Sequence, residues 1–372
     1  MSKLIKIIIT VIILALIIWV ITTNGEKPVQ GTFSIGAIEA LTGNASYYGV
    51  STMKGVEIGK EEMSAKYPNL KFEVFHEDSL FTPKGGIDAY NKLRSSNAID
   101  AVITMASNVS MAVEPLAIKD GITMIAASTL ANNFSTPNDL TFRLTAKGDL
   151  EAEPALAYMQ SQGKTRLAII YMTNEIGVSL RDSLKKEAAT KGVVIVAEEG
   201  YAPDTTDYRT ILLKLKQLNP EVVYLGSLAS HTAQILKQSD SLAFKPLFMS
   251  YRGAEDPLLI ANAGKLAEQV VYTNAFDSEN VSPLNKNFAY EYKKKHGEDA
   301  NGYAAEGYEA LKLIIESFVE CNKDYVCIQA YIAGIKNRPS VLGELSFDQN
   351  GDVSYQFFLK TIKDGKFVKL GN

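Results

Sequence analysis

His76, His231 and His296 are the only histidines in the 372 residues, and Cys321 and Cys327 the only cysteines. No two of the histidines stand in an H-x-x-x-H spacing, and there is no G-x-S-x-G elbow, no G-x-x-x-x-G-K-[ST] phosphate loop and no G-x-G-x-x-G fingerprint. His76, in "FHEDS", has Glu77 and Asp78 beside it and could act as a base, or the three could form a polar cluster at a strand end. Catalysis therefore finds no support in residue types or spacing. The cysteine pair, with "NKDYV" between its members, points to a disulfide in an oxidising compartment, with two free thiols as the other reading. Two cysteines with no histidine near them make a poor zinc site, because structural zinc takes four ligands. No metal or cofactor is expected.

What recurs instead is a set of loops rich in hydroxyls and small residues. One is Thr42 to Tyr48 in "IGAIEALTGNASYYG", a second Ala106, Ser107 and Asn108, and a third Ala127, Ser128 and Thr129. Each follows an apolar run and leads towards a helix start, where backbone N–H groups and the positive end of the helix dipole converge. A small carboxylate suits that geometry, with Tyr48 offering its ring to the apolar part of a ligand. Ser and Thr in such places also serve as helix caps and turn formers, and Tyr48 alone could be plain packing. Capping and anion binding use the same groups and do not exclude each other.

The elements that must position these loops are strands and helices in alternation, the pattern of an α/β protein. Strands are expected at 33–38, 71–76, 101–104, 122–127, 167–172, 193–199, 222–226 and 246–250, each short and nearly continuous in apolar residues, as buried parallel strands are. Ligands of such sheets lie outside the carboxyl ends of the strands, where the three loops fall. Leu311, Ile314, Ile315 and Phe318 form an apolar helical stripe that reads as core. The chain changes character near 142–151, 270–277 and 343–352, which predicts three crossings between two lobes and a hinge between them. The expected division is 32–147 with 275–342 for lobe 1, and 148–274 with 343–372 for lobe 2.

Composition is that of an ordinary globular chain, 46% apolar and 22% charged, and a net charge of −4 argues against nucleic acid as a partner. The N-terminus differs. Lys3 and Lys6 precede "IIITVIILALIIWVI", an apolar run near the lower limit for spanning a bilayer, with the basic end on the cytoplasmic side. Residues 1–25 are read as an uncleaved membrane anchor, with a cleaved signal peptide as the alternative, and 26–31 as a linker. That places the bulk of the chain outside the cytoplasm.

Over almost all of the chain after the anchor, the sequence resembles the extracytoplasmic solute-binding proteins of the branched-chain amino acid type. The resemblance is carried by "IGAIEALTGNASYYG", "EDSLFTPKGGIDAYNKL", "GITMIAAST", "FRLT", "RLAIIYMTNEIG", "DYRTILLKLKQLNPEVVYLG" and "GELSFDQNGD" in order, and the cysteine pair resembles one found in such relatives. It implies the type I periplasmic-binding architecture, two doubly wound lobes joined by a three-segment hinge. It also implies a monomer that closes over a small carboxylate-bearing solute and presents it to an ABC-type permease. A ligand-sensing ectodomain is the alternative function; it would need a second membrane span or a cytoplasmic output domain, and neither is expected from the residues that flank the anchor and the lobes.

Carried over residue by residue, the family's carboxylate site falls on Ser107, Ser128 and Thr129, and its first-loop ring on Tyr48. In the second lobe this chain departs from the pattern. Ile176 and Leu228 stand where aromatic residues are common, and Arg252, in "FMSYRGAED", stands at or beside the acid that grips an α-ammonium. A guanidinium ~4 Å from an ammonium, at an effective dielectric of ~20, costs roughly 4 kcal/mol. An amino acid would then need another acid, for which Glu175, Glu39 and Glu255 are candidates; otherwise Arg252 grips a second anionic or polar group of the ligand. Arg252 could also point to solvent or pair with Glu255 or Asp256.

Overall fold

The computed structural model describes residues 31–277 and 282–371. The apolar run read as a membrane anchor lies outside the described residues, and among those described no helix is long and apolar enough to cross a membrane.

Two parallel sheets form the frame. The first contains β1 (Thr32–Glu39), β2 (Lys71–Asp78), β3 (Ala101–Met105), β4 (Thr123–Ser128) and β5 (Thr141–Arg143), in the spatial order β2-β1-β3-β4-β5. The second contains β6 (Arg166–Met172), β7 (Val194–Tyr201), β8 (Val222–Gly226), β9 (Leu247–Ser250) and β10 (Val270–Asn274) in the order β10-β9-β8-β6-β7. The antiparallel pair β13 (Phe358–Lys363) and β14 (Lys366–Lys369) extends its β10 edge. Central strands such as β3, β4 and β8 are buried along their whole length, which is why they read as unbroken apolar runs.

In both sheets the strand order reverses once, between β1 and β3 in the first and between β6 and β8 in the second. A crevice opens at the carboxyl ends of the strands flanking such a reversal. The helices that begin there are α1 (Ser46–Lys66) after β1, α3 (Ser107–Asp120) after β3, α5 (Glu175–Lys191) after β6 and α7 (Ala229–Ser241) after β8. Between α1 and α3 lies α2 (Pro83–Asn97), capped by the Thr82 hydroxyl, which accepts from the Gly85 N–H at 3.0 Å.

The chain passes from the first sheet to the second after β5, through α4 (Gly148–Ser161), and returns after β10. The returning segment carries α9 (Pro283–His296), α10 (Gly302–Cys321) and α11 (Tyr325–Ala333). Helix α10 is buried all round, lies along α1 and covers β4. It approaches α1 so closely that a Cβ on Gly55 would sit 1.9 Å from the Ala304 carbonyl oxygen, and one on Gly307 2.3 Å from that of Thr52. Cys321, the last residue of α10, forms a disulfide with Cys327 in α11 across a Cα–Cα distance of 5.5 Å.

The third crossing comes later than the expected boundary at 343. Gly343–Leu345 (β12) pairs antiparallel with Arg338–Ser340 (β11), and Leu345, Phe347 and Val353 pack in one cluster with Phe33, Phe142 and Phe318. Asp352 is bonded by buried Arg143 and by Lys147. Apolar side chains and a buried ion pair thus hold 343–353 to the first sheet, and the chain joins the second only at β13.

His76 is neither exposed nor engaged with Glu77 and Asp78. Its Nδ1 lies 3.0 Å from Glu39 of β1 and its Nε2 3.0 Å from Glu57 of α1. Burial opposes a charge on the ring, but the two carboxylates outweigh it and raise its pKa to about 9.

Candidate functional site

The first-sheet loops and the second-sheet loops meet around one cavity of about 30 Å³, room for a couple of water molecules. Tyr48, Ser107 and Ser128 line it from one side, and Ile176, Leu228 and Arg252 from the other. Thus six of the eight residues singled out in the sequence come together. Thr129 and Glu175 do not line it. Thr129 follows Ser128 on an extended strand end, so its side chain turns to the opposite face, where its hydroxyl donates to Ser110 at 2.7 Å. Glu175 is half-buried in the first turn of α5, whose cap is Asn174, accepting from the Gly177 N–H at 3.0 Å.

Three of the four helices that start at the cavity have no side-chain cap, α5 with its Asn174 being the fourth. Ala45, Ala106 and Leu228 stand at the cap positions of α1, α3 and α7, and none supplies a side-chain acceptor. Ala106 is held at φ 76°, a left-handed conformation unusual for a residue with a Cβ. Its N–H donates to the Ser128 carbonyl at 2.8 Å, tying the ends of β3 and β4 together beneath the cavity. The Ser107 hydroxyl accepts from the Leu130 N–H at 3.0 Å, which leaves its own proton available to a ligand.

Tyr48 joins the two sides. Its hydroxyl donates to the Gly253 carbonyl at 2.7 Å and accepts from the Ala229 N–H at 3.2 Å, so the start of α7 is satisfied by a side chain of the first lobe. The Tyr48 ring also lies 4.9 Å from that of Tyr303, at the start of α10.

Arg252 neither faces solvent nor pairs with Glu255 or Asp256. It is 6% exposed and its guanidinium forks onto Glu306 of α10, one arm at Nη2–Oε2 2.7 Å and the other, Nη1, onto Oε1. Nη2 also lies 3.4 Å from the Ser128 hydroxyl, and the guanidinium carbon sits 4.0 Å over the Tyr303 ring. Glu306 accepts a further bond from Thr145 at 2.8 Å. Burial drives the Glu306 carboxyl up, against the pull of Arg252, Thr145 and Ser128. A second buried acid, Glu151 of α4, accepts from Thr273 at 2.6 Å and has its other oxygen unpartnered. Burial pushes its carboxyl up to about 7, against the pull of Thr273 and Arg252. The other acids weighed for an ammonium are committed elsewhere: Glu39 to His76, and Glu255 to Tyr272, Asn274 and Lys360.

Sequence reasoning missed Phe81, Met105, Leu130, Tyr251 and Tyr303, which complete the apolar wall, and it missed Glu306. The last had no local signal, because Glu306, Glu309, Lys312 and Glu316 stand at the spacing of a solvated helix face, and it is packing against α1 that buries the first three. Among the described residues no group of three His, Cys, Asp or Glu side chains could hold a metal ion.

The sequence from 32 to 354 matches the model of a family described as periplasmic binding protein. The chain is 26% identical over 345 residues to the Leu/Ile/Val-binding protein BraC3 of Rhizobium johnstonii, covering 90% of this chain and 93% of that one. Its fold is similar to that of the branched-chain amino acid transporter substrate-binding protein LivJ of Streptococcus pneumoniae in complex with isoleucine. The TM-score is 0.83 at 20% identity, over 91% of this chain and 100% of that one. A solute-binding protein of an ABC transporter from R. palustris, in complex with benzoate, is as similar in fold. There the TM-score is 0.83 at 19% identity, over 92% and 96% of the two chains.

Proposed function

The chain belongs to the periplasmic binding protein family, a family of solute-binding proteins rather than enzymes, and from that premise we propose that it is the substrate-binding component of an ABC-type importer. It captures a small carboxylate-bearing solute by closure of two lobes. Lobe 1 comprises 32–147 and 275–342 together with the adjoining 343–353, and lobe 2 comprises 148–274 and the remainder. The observation that carries this reading is the cavity itself. Four loops from the two strand-order reversals face one another across it, and the Tyr48 hydroxyl bridges them.

The first lobe offers the donors a carboxylate requires: the Ser107 and Ser128 hydroxyls and the side-chain-free N-terminus of α3. Closure follows from differential affinity. Contacts from both lobes exist together only in the shut state, so a ligand that makes them favours that state. The protein acts as a monomer outside the cytoplasm, held to the membrane by residues 1–25. The relatives named for leucine, isoleucine and valine support an amino acid as cargo, and the benzoate complex supports a related acid.

A thermal-shift screen of the purified protein against amino acids and simple carboxylates tests the proposal. A ligand at 100 times its dissociation constant stabilises by roughly 2.7 kcal/mol, and the same ligand must lose its effect when Ser107 and Ser128 are both replaced by alanine. No shift with any member of either set would refute the reading.

A further inference from the structure

The solute-binding reading leaves the ligand's charge open, and the second lobe addresses it. Among the described residues, the one charged side chain lining the cavity is Arg252. Its partner Glu306 does not line that cavity but borders a second, smaller one with Leu130, Phe276 and Tyr355, and is already engaged by both arms of the guanidinium, by Thr145 and by Ser128. An ammonium in the cleft would meet the guanidinium, and among the described residues no carboxylate lines the cavity to receive it. Glu151, the other acid packed near Arg252, does not line the cavity and has an oxygen without a hydrogen-bond donor.

Resting on that reading, we infer that this cleft selects carboxylates that lack an α-ammonium group, with Arg252 as the specificity-determining residue. The bound carboxylate bridges the Ser107 and Ser128 hydroxyls and the guanidinium. Ser128 already lies 3.4 Å from Nη2, so an anion held by the serine is within reach of Arg252. The guanidinium presents a planar fork suited to a carboxylate, and stacking on Tyr303 keeps that fork oriented while Glu306 is displaced or shared. The rest of the wall, Phe81, Met105, Leu130, Ile176, Leu228 and Tyr251, asks for an apolar body. With about 30 Å³ inside the closed cleft, such a body enters only as the lobes part, and the pair rearranges at that step. Repulsion between an ammonium and an unshared guanidinium at ~4 Å, at an effective dielectric of ~20, corresponds to about a thousandfold in affinity. Glu306 reduces this, so a preference of at least tenfold is expected.

The test is calorimetric titration of the full chain with two pairs matched in size and differing in the amine: leucine against 4-methylpentanoate, and phenylalanine against 3-phenylpropanoate. The amine-free member of a pair should bind at least tenfold more tightly, and Arg252→Gln should weaken it at least tenfold. Arg252→Lys, which keeps the charge but not the fork, should give an intermediate loss and serves if the glutamine variant does not fold. If leucine or phenylalanine binds as tightly as its partner or more so, the inference is overturned while the solute-binding reading stands. Unchanged affinity in a folded Arg252 variant overturns it as well. If none of the four binds, the inference is overturned, and the solute-binding reading is decided separately by the wider thermal-shift screen.

Discussion

Replacing Glu306 with glutamine should destabilise the protein through the charge it leaves on Arg252. The pair joins the lobes, with Arg252 on the turn after β9 and Glu306 on α10, which packs against the first sheet. Their side chains are 7% and 3% exposed. An isosteric Glu306→Gln keeps shape and one acceptor but leaves a guanidinium without its counter-charge. Breaking a buried pair from one side in this way costs about 3–5 kcal/mol when the surroundings cannot relax. If the lobes close over a ligand as proposed, they can, because parting them would return Arg252 to water. The observed loss is therefore capped by the cost of opening, and about 3 kcal/mol is the expected size. Unfolding entropy of ~2.1 cal/mol/K per residue over roughly 340 residues converts this to a fall of about 4 °C in Tm. Arg252→Met alone strands Glu306 and should cost a similar amount, whereas Arg252→Met with Glu306→Leu replaces the pair by apolar groups and should recover most of it. Differential scanning calorimetry on these proteins together with Glu306→Leu alone closes the cycle and gives the coupling energy, and small-angle scattering should show a larger radius of gyration for the single variants than for the double. Effects that add within ~0.5 kcal/mol, with equal radii, would refute the idea that this pair bridges the lobes in the free protein.

His76 supplies a pH signature. Its pKa rises from 6.5 unfolded to about 9 folded, so its stabilisation is fully present below pH 6.5 and is lost as pH rises through about 9. Urea denaturation from pH 6 to 9.5 should show stability falling by up to ~1.4 kcal/mol per pH unit, and His76→Gln should flatten that slope; an unchanged slope would mean that the ring is not charged between Glu39 and Glu57. Gly55→Ala places a Cβ against the Ala304 carbonyl where the gap is 1.9 Å, and should destabilise by about 1–3 kcal/mol. A Tm within 1 °C of wild type would show that α1 and α10 do not approach so closely.

The sequence by itself determined the layered alternation, because a strand buried on both faces must be apolar at nearly every position, and that demand is local. The run "VVYLG" reads as a strand at 222–226 and is β8 over the same residues. Local chemistry also marked the loops. Small and hydroxyl residues where apolar runs stop marked the loops that carry Tyr48, Ser107 and Ser128, and Arg252, at or beside the position of an acid in the pattern the sequence resembles, stood out. Other features had no local trace. Ser128 faces the cavity and Thr129 turns away because side chains on an extended chain alternate, and one residue of register separates a ligand contact from a core hydroxyl. The partner of Arg252 lies 54 residues along the chain and in the other lobe. Which of several nearby acids it meets depends on how two separately wound sheets are set against each other, and only the packed molecule settles that. The same holds for the end of the first lobe. Residues 343–353 stay with it because Phe347 and Val353 find apolar cover there and Asp352 finds Arg143. Burial and ion pairing are decided between distant segments, and no window along the chain contains both partners.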